Sequence, residues 1–222
     1  MTAEQQLPQA VLFDMDGTLI DTEPLWIATE AEVAAELGCT TWTVEDQRRC
    51  LGSSAAMVAS YIAERSGTSV PQSEIVTMLY TSVARRMADS PPVQPGAKEL
   101  LSELDALGVP MALVTSTYRS LLGTALRGLG EHYFAATVAG DEVSQAKPHP
   151  EPYLTAARLL GVDPRRCVAV EDSPAGVAAA QAAGCVVVAV PHVAPIEEAE
   201  RRYVVSSLTE ISVDWLRQVV NS

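Results

Sequence analysis

VLFDMDGTLIDTE, Val11–Glu23, is the stretch that decides the fold. Val11, Leu12 and Phe13 lead into Asp14, and Asp16 follows just ahead of a Gly-Thr turn. An apolar strand over residues 10–14 would lift both carboxylates to its C-terminal edge. Two positions apart on a continuing strand, they would point to the same face. Two acids held together at a strand end can serve as nucleophile and general acid/base, or bind a metal. The plain alternative is a strand ending in an Asp-Gly turn. Choosing between the two requires the rest of the chain.

Downstream, residues 24–90 change character. Leu25–Leu37, Ser54–Glu64 and Ser73–Ala88 carry apolar residues at helical spacing, with Gly38, Gly67 and Pro71 as breaks. No strand interrupts them, so the region reads as a helical insertion, and Pro91, Pro92 and Pro95 mark its end. Helices and strands then alternate. Helices are expected over Gly96–Leu107, Tyr118–Leu129, Glu151–Leu160, Pro174–Ala183 and Asp214–Val220. Strands are expected over Val109–Val114, Ala136–Val138, Cys167–Val170 and Cys185–Val190, with a weaker one over Tyr203–Val205. Such alternation implies an α/β fold whose parallel sheet is covered on both faces, with ligands beyond the strand C-terminal ends.

Bulk properties agree with that architecture. The 222 residues suffice for one large domain or a core with a smaller one inserted, and 48% hydrophobic content gives ample core material. A net charge of −13 argues against nucleic acid or an anionic membrane as the partner. The opening MTAEQQLPQ lacks the features of a signal peptide, and no apolar run approaches membrane-spanning length. Cys39, Cys50, Cys167 and Cys185 form no CxxC pair and read as reduced, mostly buried thiols. The expected compartment is the cytoplasm.

The most telling residues stand immediately after the buried strands. Asp14 and Asp16 come after the first, Thr115 and Ser116 after the second, and Glu171, Asp172 and Ser173 after the fourth, while Lys147 sits in the loop Ala146–Pro150. Parallel strands bring all four groups to one edge. The set points to phosphoryl transfer. A phosphate ester is anionic and resists an anionic nucleophile. Mg²⁺ held by Asp14, Asp172 and a backbone carbonyl would offset that charge, as hard oxygen ligands allow. Lys147 adds a second positive charge, and Thr115 with the Ser116 N–H can bind non-bridging oxygens. Asp14 would attack in line; Asp16 would protonate the leaving oxygen and later deprotonate water.

FDMDGTLIDTE, LVTST, KPHPEPYL and VEDSPAGVAAAQAAG resemble, in order, the four motifs of the haloacid dehalogenase superfamily. The resemblance covers nearly the whole chain. It implies a Rossmann-like parallel sheet core, residues 1–22 and 91–222, and an inserted all-helical cap, residues 23–90. It also implies an aspartyl-phosphate intermediate on Asp14, with Asp16 as acid/base, its carbonyl on Mg²⁺, and Thr115 and Lys147 in the second and third motifs. Glu171 and Asp172 fall in the fourth, with Glu171 at the metal's edge or acting through water. Asp16 resembles the phosphotransferase pattern, not that of true dehalogenases.

Within the superfamily the cap resembles the phosphoglucomutase- and phosphatase-like branch. The sugar-phosphate mutases of that branch commonly carry a histidine where this chain has Trp26, and an arginine shortly after the cap glycine. Here Ser53, Ser54 and Ala55 follow Gly52, and Arg48 and Arg49 precede it. The expected activity is therefore a phosphatase acting on a small monoester such as a sugar phosphate; the alternative is a sugar-phosphate mutase. A catalytically silent binding protein is a third reading. The expected partner is a small phosphorylated metabolite, with hinges near Thr22–Pro24 and Ser90–Pro95. Oligomeric state is left open.

Each candidate has a structural reading beside the functional one. Thr115 and Ser116 could cap the next helix, and Asp172 or Ser173 could do so in the fourth motif. His149 is expected at a rim or in a structural role. His132 and His192 read as surface residues. Trp26, Met57, Tyr61 and Tyr80 read as helix packing, Trp26 alone with a possible substrate contact.

Overall fold

A computed structural model describes residues 6–51, 53–89, 92–192 and 194–222. Gly52, Ser90 and Pro91, used above as cap glycine, hinge and boundary, lie outside the described residues. In chain order the elements are β1 (Ala10–Phe13), α1 (Glu23–Glu36), α2 (Val44–Cys50), α3 (Ala55–Ser66), α4 (Gln72–Asp89), α5 (Ala97–Ala106), β2 (Met111–Val114) and α6 (Arg119–Leu129). They continue with β3 (Ala136–Val138), α7 (Glu151–Leu160), β4 (Cys167–Glu171), α8 (Pro174–Ala182), β5 (Val186–Ala189), β6 (Arg202–Val204) and α9 (Val213–Val220). The chain divides into two compact units, Met1–Asp21 with Pro92–Ser222, and Thr22–Pro91.

The first unit is built on a six-stranded sheet of order β3-β2-β1-β4-β5-β6, parallel throughout. β1, β2, β4 and β5 are buried along their whole length, which explains why they read as unbroken apolar runs. Ala10 and Leu12 share a cluster with Ala112, Val114, Cys167, Ala169, Tyr153 of α7 and Val177 of α8. The alternate residues Val11, Phe13, Val168 and Val170 are just as inaccessible, and α9 packs on β4 and α5. Burying one such side chain as large as Phe13 is worth about 1.5–3 kcal/mol. Strand order reverses between β1 and β4, the crevice where α/β sheets of this kind bind ligands.

β1 ends at Phe13, one residue short of expectation, so Asp14 and Asp16 do not share a continuing strand. Asp14 keeps one ladder bond, its N–H to the Val170 carbonyl at 3.0 Å. The chain then coils: Leu19 and Ile20 N–H groups both reach the Met15 carbonyl, and Gly17 N–H reaches that of Ile20. Gly17 has φ +87°, and a Cβ there would lie 2.2 Å from Asp172 Oδ2. Only glycine fits both demands. Ile20 pairs with Val93, and the Asp21 N–H meets the Pro92 carbonyl at 2.7 Å. The outgoing and returning chains are thus tied to each other within this unit.

In the second unit α1, α3 and α4 pack together over Val33, Ala34, Val58, Ala59, Ile62, Ile75 and Leu79. Ser54 caps α3 through the Met57 N–H at 3.3 Å. α2 was not expected from the sequence; its VEDQRRC carries no helical apolar period. A capping box between Thr43 and Asp46 starts it, and Asp46 also accepts from Tyr61 at 2.6 Å and from Arg65 at 2.7 Å. Arg85, Arg86 and Ser82 of α4 converge on Glu32 of α1. Trp26 and Tyr80 meet edge to face at 5.8 Å. Met57 corrects the packing expectation: it is 64% exposed, on the outer side of α3.

Candidate active site

The strand ends of the first unit carry the expected residues to one place. Asp14 follows β1, Thr115 follows β2, and Glu171 is the last residue of β4, not the first beyond it. That position separates the two neighbouring acids. Glu171 keeps the parity of Cys167 and Ala169 and enters the α7 face of the sheet, while Asp172 lies beyond the strand. Lys147 lies between the acids: Nζ donates to Asp14 Oδ1 and Glu171 Oε1, both at 2.6 Å, and to the Val114 carbonyl at 3.0 Å. Its side chain is 5% exposed.

The loop that delivers Lys147 is held by Glu151, which the sequence reading did not single out, and by His149, which it placed in a rim or structural role. Glu151 accepts from the Ser144 and Gln145 N–H groups at 2.8 and 2.9 Å. His149 Nδ1 accepts from the Glu151 N–H at 3.2 Å, a structural role. Two further residues were missed. Thr117 donates to Asp16 Oδ2 at 2.8 Å, alongside Thr115 at 3.0 Å, and the Thr117 N–H bonds back to Thr115 Oγ1. The only sequence signal was a third hydroxyl residue in Thr115-Ser116-Thr117. Tyr153, fully buried on α7, donates to Glu171 Oε1 at 2.6 Å. Nothing in the α7 periodicity separates it from ordinary core.

The capping alternative for the second motif fails. α6 starts at Arg119 with Tyr118 before it, and Asp141 Oδ1 accepts the Arg119 N–H at 2.8 Å. Ser116 is exposed, and its carbonyl lies where a Cβ on Gly140 would be, at 2.1 Å. In the fourth motif Ser173, not Asp172, caps α8 through the Gly176 N–H at 3.1 Å. His192 approaches Asp21 at 3.5 Å, and His132 lies against Tyr133. Arg48 pairs with Glu45 at 3.7 Å, and Arg49 sits 4.6 Å over the Tyr61 ring.

Electrostatics mark the cluster as unusual. Burial pushes Asp14 well above the ordinary carboxylate range; Lys147 opposes that, and Glu171, Asp172 and Asp16 reinforce it. Asp172 is pushed up to about 7, by burial first and then by Glu171. Burial works against the Lys147 charge, but Asp14 and Glu171 outweigh it and hold the ammonium above the usual lysine range. Oxygens of Asp14, Glu171 and Asp172 lie within 4.8 Å of one another and could hold a metal ion. Hard carboxylate oxygens suit a small divalent cation. The Asp16 carboxylate stands apart from that trio, held by its two threonines.

Residues 11–190 match the family of haloacid dehalogenase-like hydrolases. The chain belongs to that family. It is therefore an enzyme, a hydrolase. Hexitol phosphatase B of Escherichia coli (strain K12) is 32% identical over 210 residues, 91% of this chain and 94% of that protein. A phosphorylated carbohydrates phosphatase of Thermotoga maritima is 34% identical over 177 residues, 79% of this chain and 82% of that one. The crystal structure of CbbY from Rhodobacter sphaeroides in complex with phosphate superposes with a TM-score of 0.81 at 29% identity, covering 92% of this chain and 96% of that one. Among the described residues, no helix of the hydrolase is long and apolar enough to cross a membrane.

Proposed function

We propose that this hydrolase removes phosphate from a small phosphate monoester, a sugar or sugar-alcohol phosphate, with Mg²⁺ as cofactor. The observation that carries the reading is Asp14, buried at the β1/β4 switch point with one oxygen held by Lys147. Two relatives at 32% and 34% identity are named as phosphatases, which supports hydrolysis over the mutase alternative.

In the proposed reaction the Asp14 oxygen not held by Lys147 attacks phosphorus. The bond from phosphorus to the leaving oxygen breaks, and Asp16 transfers a proton to that oxygen, giving an alcohol and an aspartyl phosphate. Asp16 then takes a proton from water, whose oxygen attacks phosphorus and releases inorganic phosphate, restoring Asp14. Thr115 and Thr117 orient Asp16 for both transfers. The Ser116 N–H is assigned to the phosphate, with Thr115 beside it holding Asp16 through its single hydrogen, and Lys147 supplies fixed positive charge. Asp14, Asp172 and the Asp16 carbonyl would hold the Mg²⁺, with Glu171 at its edge. When bound, the cation offsets phosphoryl charge as a Lewis acid. The helical unit is proposed as the cap inserted after the first motif.

A screen of sugar and sugar-alcohol phosphates with Mg²⁺, read as inorganic phosphate released, tests the proposal. Phosphate release that a chelator abolishes and Mg²⁺ restores is the expected result. Conversion of glucose 1-phosphate to an isomer without phosphate release would overturn it in favour of a mutase.

A further inference from the structure

The three carboxylates that could hold a cation are not equally free to do so. A carboxylate offers about four lone-pair sites. Glu171 receives five donors. Lys147 Nζ and the Tyr153 hydroxyl both reach Oε1 at 2.6 Å. The Asp172 N–H, Ser173 N–H and Ser173 Oγ reach Oε2 at 3.1, 3.3 and 3.2 Å. Asp14 gives one oxygen to Lys147 and keeps the other. Among the described residues, the side-chain contact on the Asp172 carboxylate is a 3.5 Å one from Thr18. Glu171 is thus the most heavily bonded of the three while being within ligand distance of the other two.

We propose that Tyr153 is a positioning residue whose hydroxyl ties Glu171 away from the cation and so tunes the site for Mg²⁺ against Ca²⁺. This rests on the metal reading above. The chemistry follows from coordination number. Mg²⁺ keeps several waters and takes one or two carboxylates, whereas Ca²⁺ accepts six to eight oxygens and gains from each added carboxylate. With Tyr153 in place, Asp14 and Asp172 are the carboxylates available. Without its hydroxyl, Glu171 Oε1 regains a lone pair, and a third carboxylate can join. Partners of this outer-shell kind change metal affinity by about 10–100-fold when removed. The Tyr153 ring also lies 5.2 Å from Lys147 Nζ. Tyr153→Phe would keep that contact and remove the hydroxyl alone.

The test is calorimetric titration of the substrate-free protein with Mg²⁺ and with Ca²⁺, in the wild type, Tyr153→Phe and the double variant Tyr153→Phe/Glu171→Gln. The preference for Ca²⁺ over Mg²⁺ should rise about tenfold or more in Tyr153→Phe and fall back in the double variant. A ratio within about twofold of wild type in Tyr153→Phe overturns the proposal, as does a rise that persists in the double variant. If the wild type binds neither ion, the metal reading falls and this inference with it; binding with an unchanged ratio sinks this inference alone. Should Tyr153→Phe fail to fold, a crystal structure of the wild-type protein loaded with Mn²⁺ decides. Glu171 should lie beyond bonding distance of the ion, and a direct Glu171 ligand would overturn the assignment.

Discussion

Glu30 is expected to make the hydrolase lose stability as the pH rises from 4.5 to 7, and Glu30→Gln is expected to remove that loss. Glu30 leaves α1 on the same face as Val33 and Ala34 and is 5% exposed. Burial alone raises its carboxyl from 4.5 to about 7. An acid whose pKa is higher folded than unfolded binds its proton more tightly in the native state. Its favourable share is therefore complete below the unfolded value and disappears as pH rises through the folded one. At about 1.4 kcal/mol per pH unit, the interval from 4.5 to about 7 corresponds to about 3 kcal/mol. The surroundings leave this window clear within the helical unit. Burial first, then Glu30, pushes the Cys50 thiol up to about 12. Hydrogen bonds from Ser82, Arg85 and Arg86 hold Glu32 near about 2, and Arg65, Tyr61 and Thr43 hold Asp46 low. Glutamine has similar shape and no charge. Thermal unfolding at pH 8 should therefore show Glu30→Gln about 6 °C or more above wild type, at about 2–4 °C per kcal/mol, with the gap closing near pH 4.5. Amide exchange in α1 and α4 should report the same difference. Equal pH slopes for variant and wild type between pH 5 and 7 would refute the assignment of the titration to Glu30.

Three further outcomes concern the catalytic unit. Asp14→Asn should abolish phosphate release at least about 10³-fold and leave no acid-stable phosphorylated protein on brief incubation with substrate; a variant that turns over at full rate would end the nucleophile assignment. Thr117→Val should lower kcat about tenfold with KM little changed, because it removes one of two hydroxyls that orient Asp16, and a change in KM alone would contradict that role. Gly17→Ala should weaken Mg²⁺ binding and destabilise the fold by about 1–3 kcal/mol, since its Cβ would meet Asp172 Oδ2 at 2.2 Å from a backbone at φ +87°; unaltered metal affinity in a titration would show that the coil has room to give.

Legibility from sequence followed the physical range of each signal. β1, β2, β4 and β5 are buried on both faces, so their apolar runs were plain and their alternation with helices implied a parallel sheet; the strand order, and with it the β1/β4 switch point, is set by pairings between distant segments. α2 was invisible because it is short and polar, held by Asp46 acting at once as cap and as partner of Tyr61 and Arg65. The same limit hid Tyr153. Its core position obeys the helical period of α7, while its hydroxyl answers to a residue 18 positions away. Thr117 belonged to a recognised hydroxyl cluster, yet only the turn after β2, with its Thr117 N–H to Thr115 Oγ1 bond, aims it at Asp16. Local periodicity locates strand ends; the contacts between them depend on chain segments far apart.

Those contacts also change what Lys147 can do. An ammonium has three hydrogens to donate, and here Asp14, Glu171 and the Val114 carbonyl take all three. A phosphate oxygen could gain a hydrogen bond from Lys147 only by displacing one of them. Losing the Asp14 bond would release the nucleophile from its orientation, and losing the Glu171 bond would leave a buried carboxylate short of its counter-charge, a change that costs several kcal/mol in general. In the proposed reaction Lys147 therefore serves the phosphate as a charge fixed in place, and direct hydrogen bonding falls to the Ser116 N–H, since the single Thr115 hydrogen is donated to Asp16. Four acids, Asp14, Asp16, Glu171 and Asp172, then stand against one committed cation. Burial already drives Asp14 and Asp172 toward their protonated forms, and a protonated Asp14 is no nucleophile. A divalent cation between Asp14 and Asp172 would favour the ionised form of both, so in this arrangement the charge that binds the phosphate is also the charge that keeps the nucleophile ready.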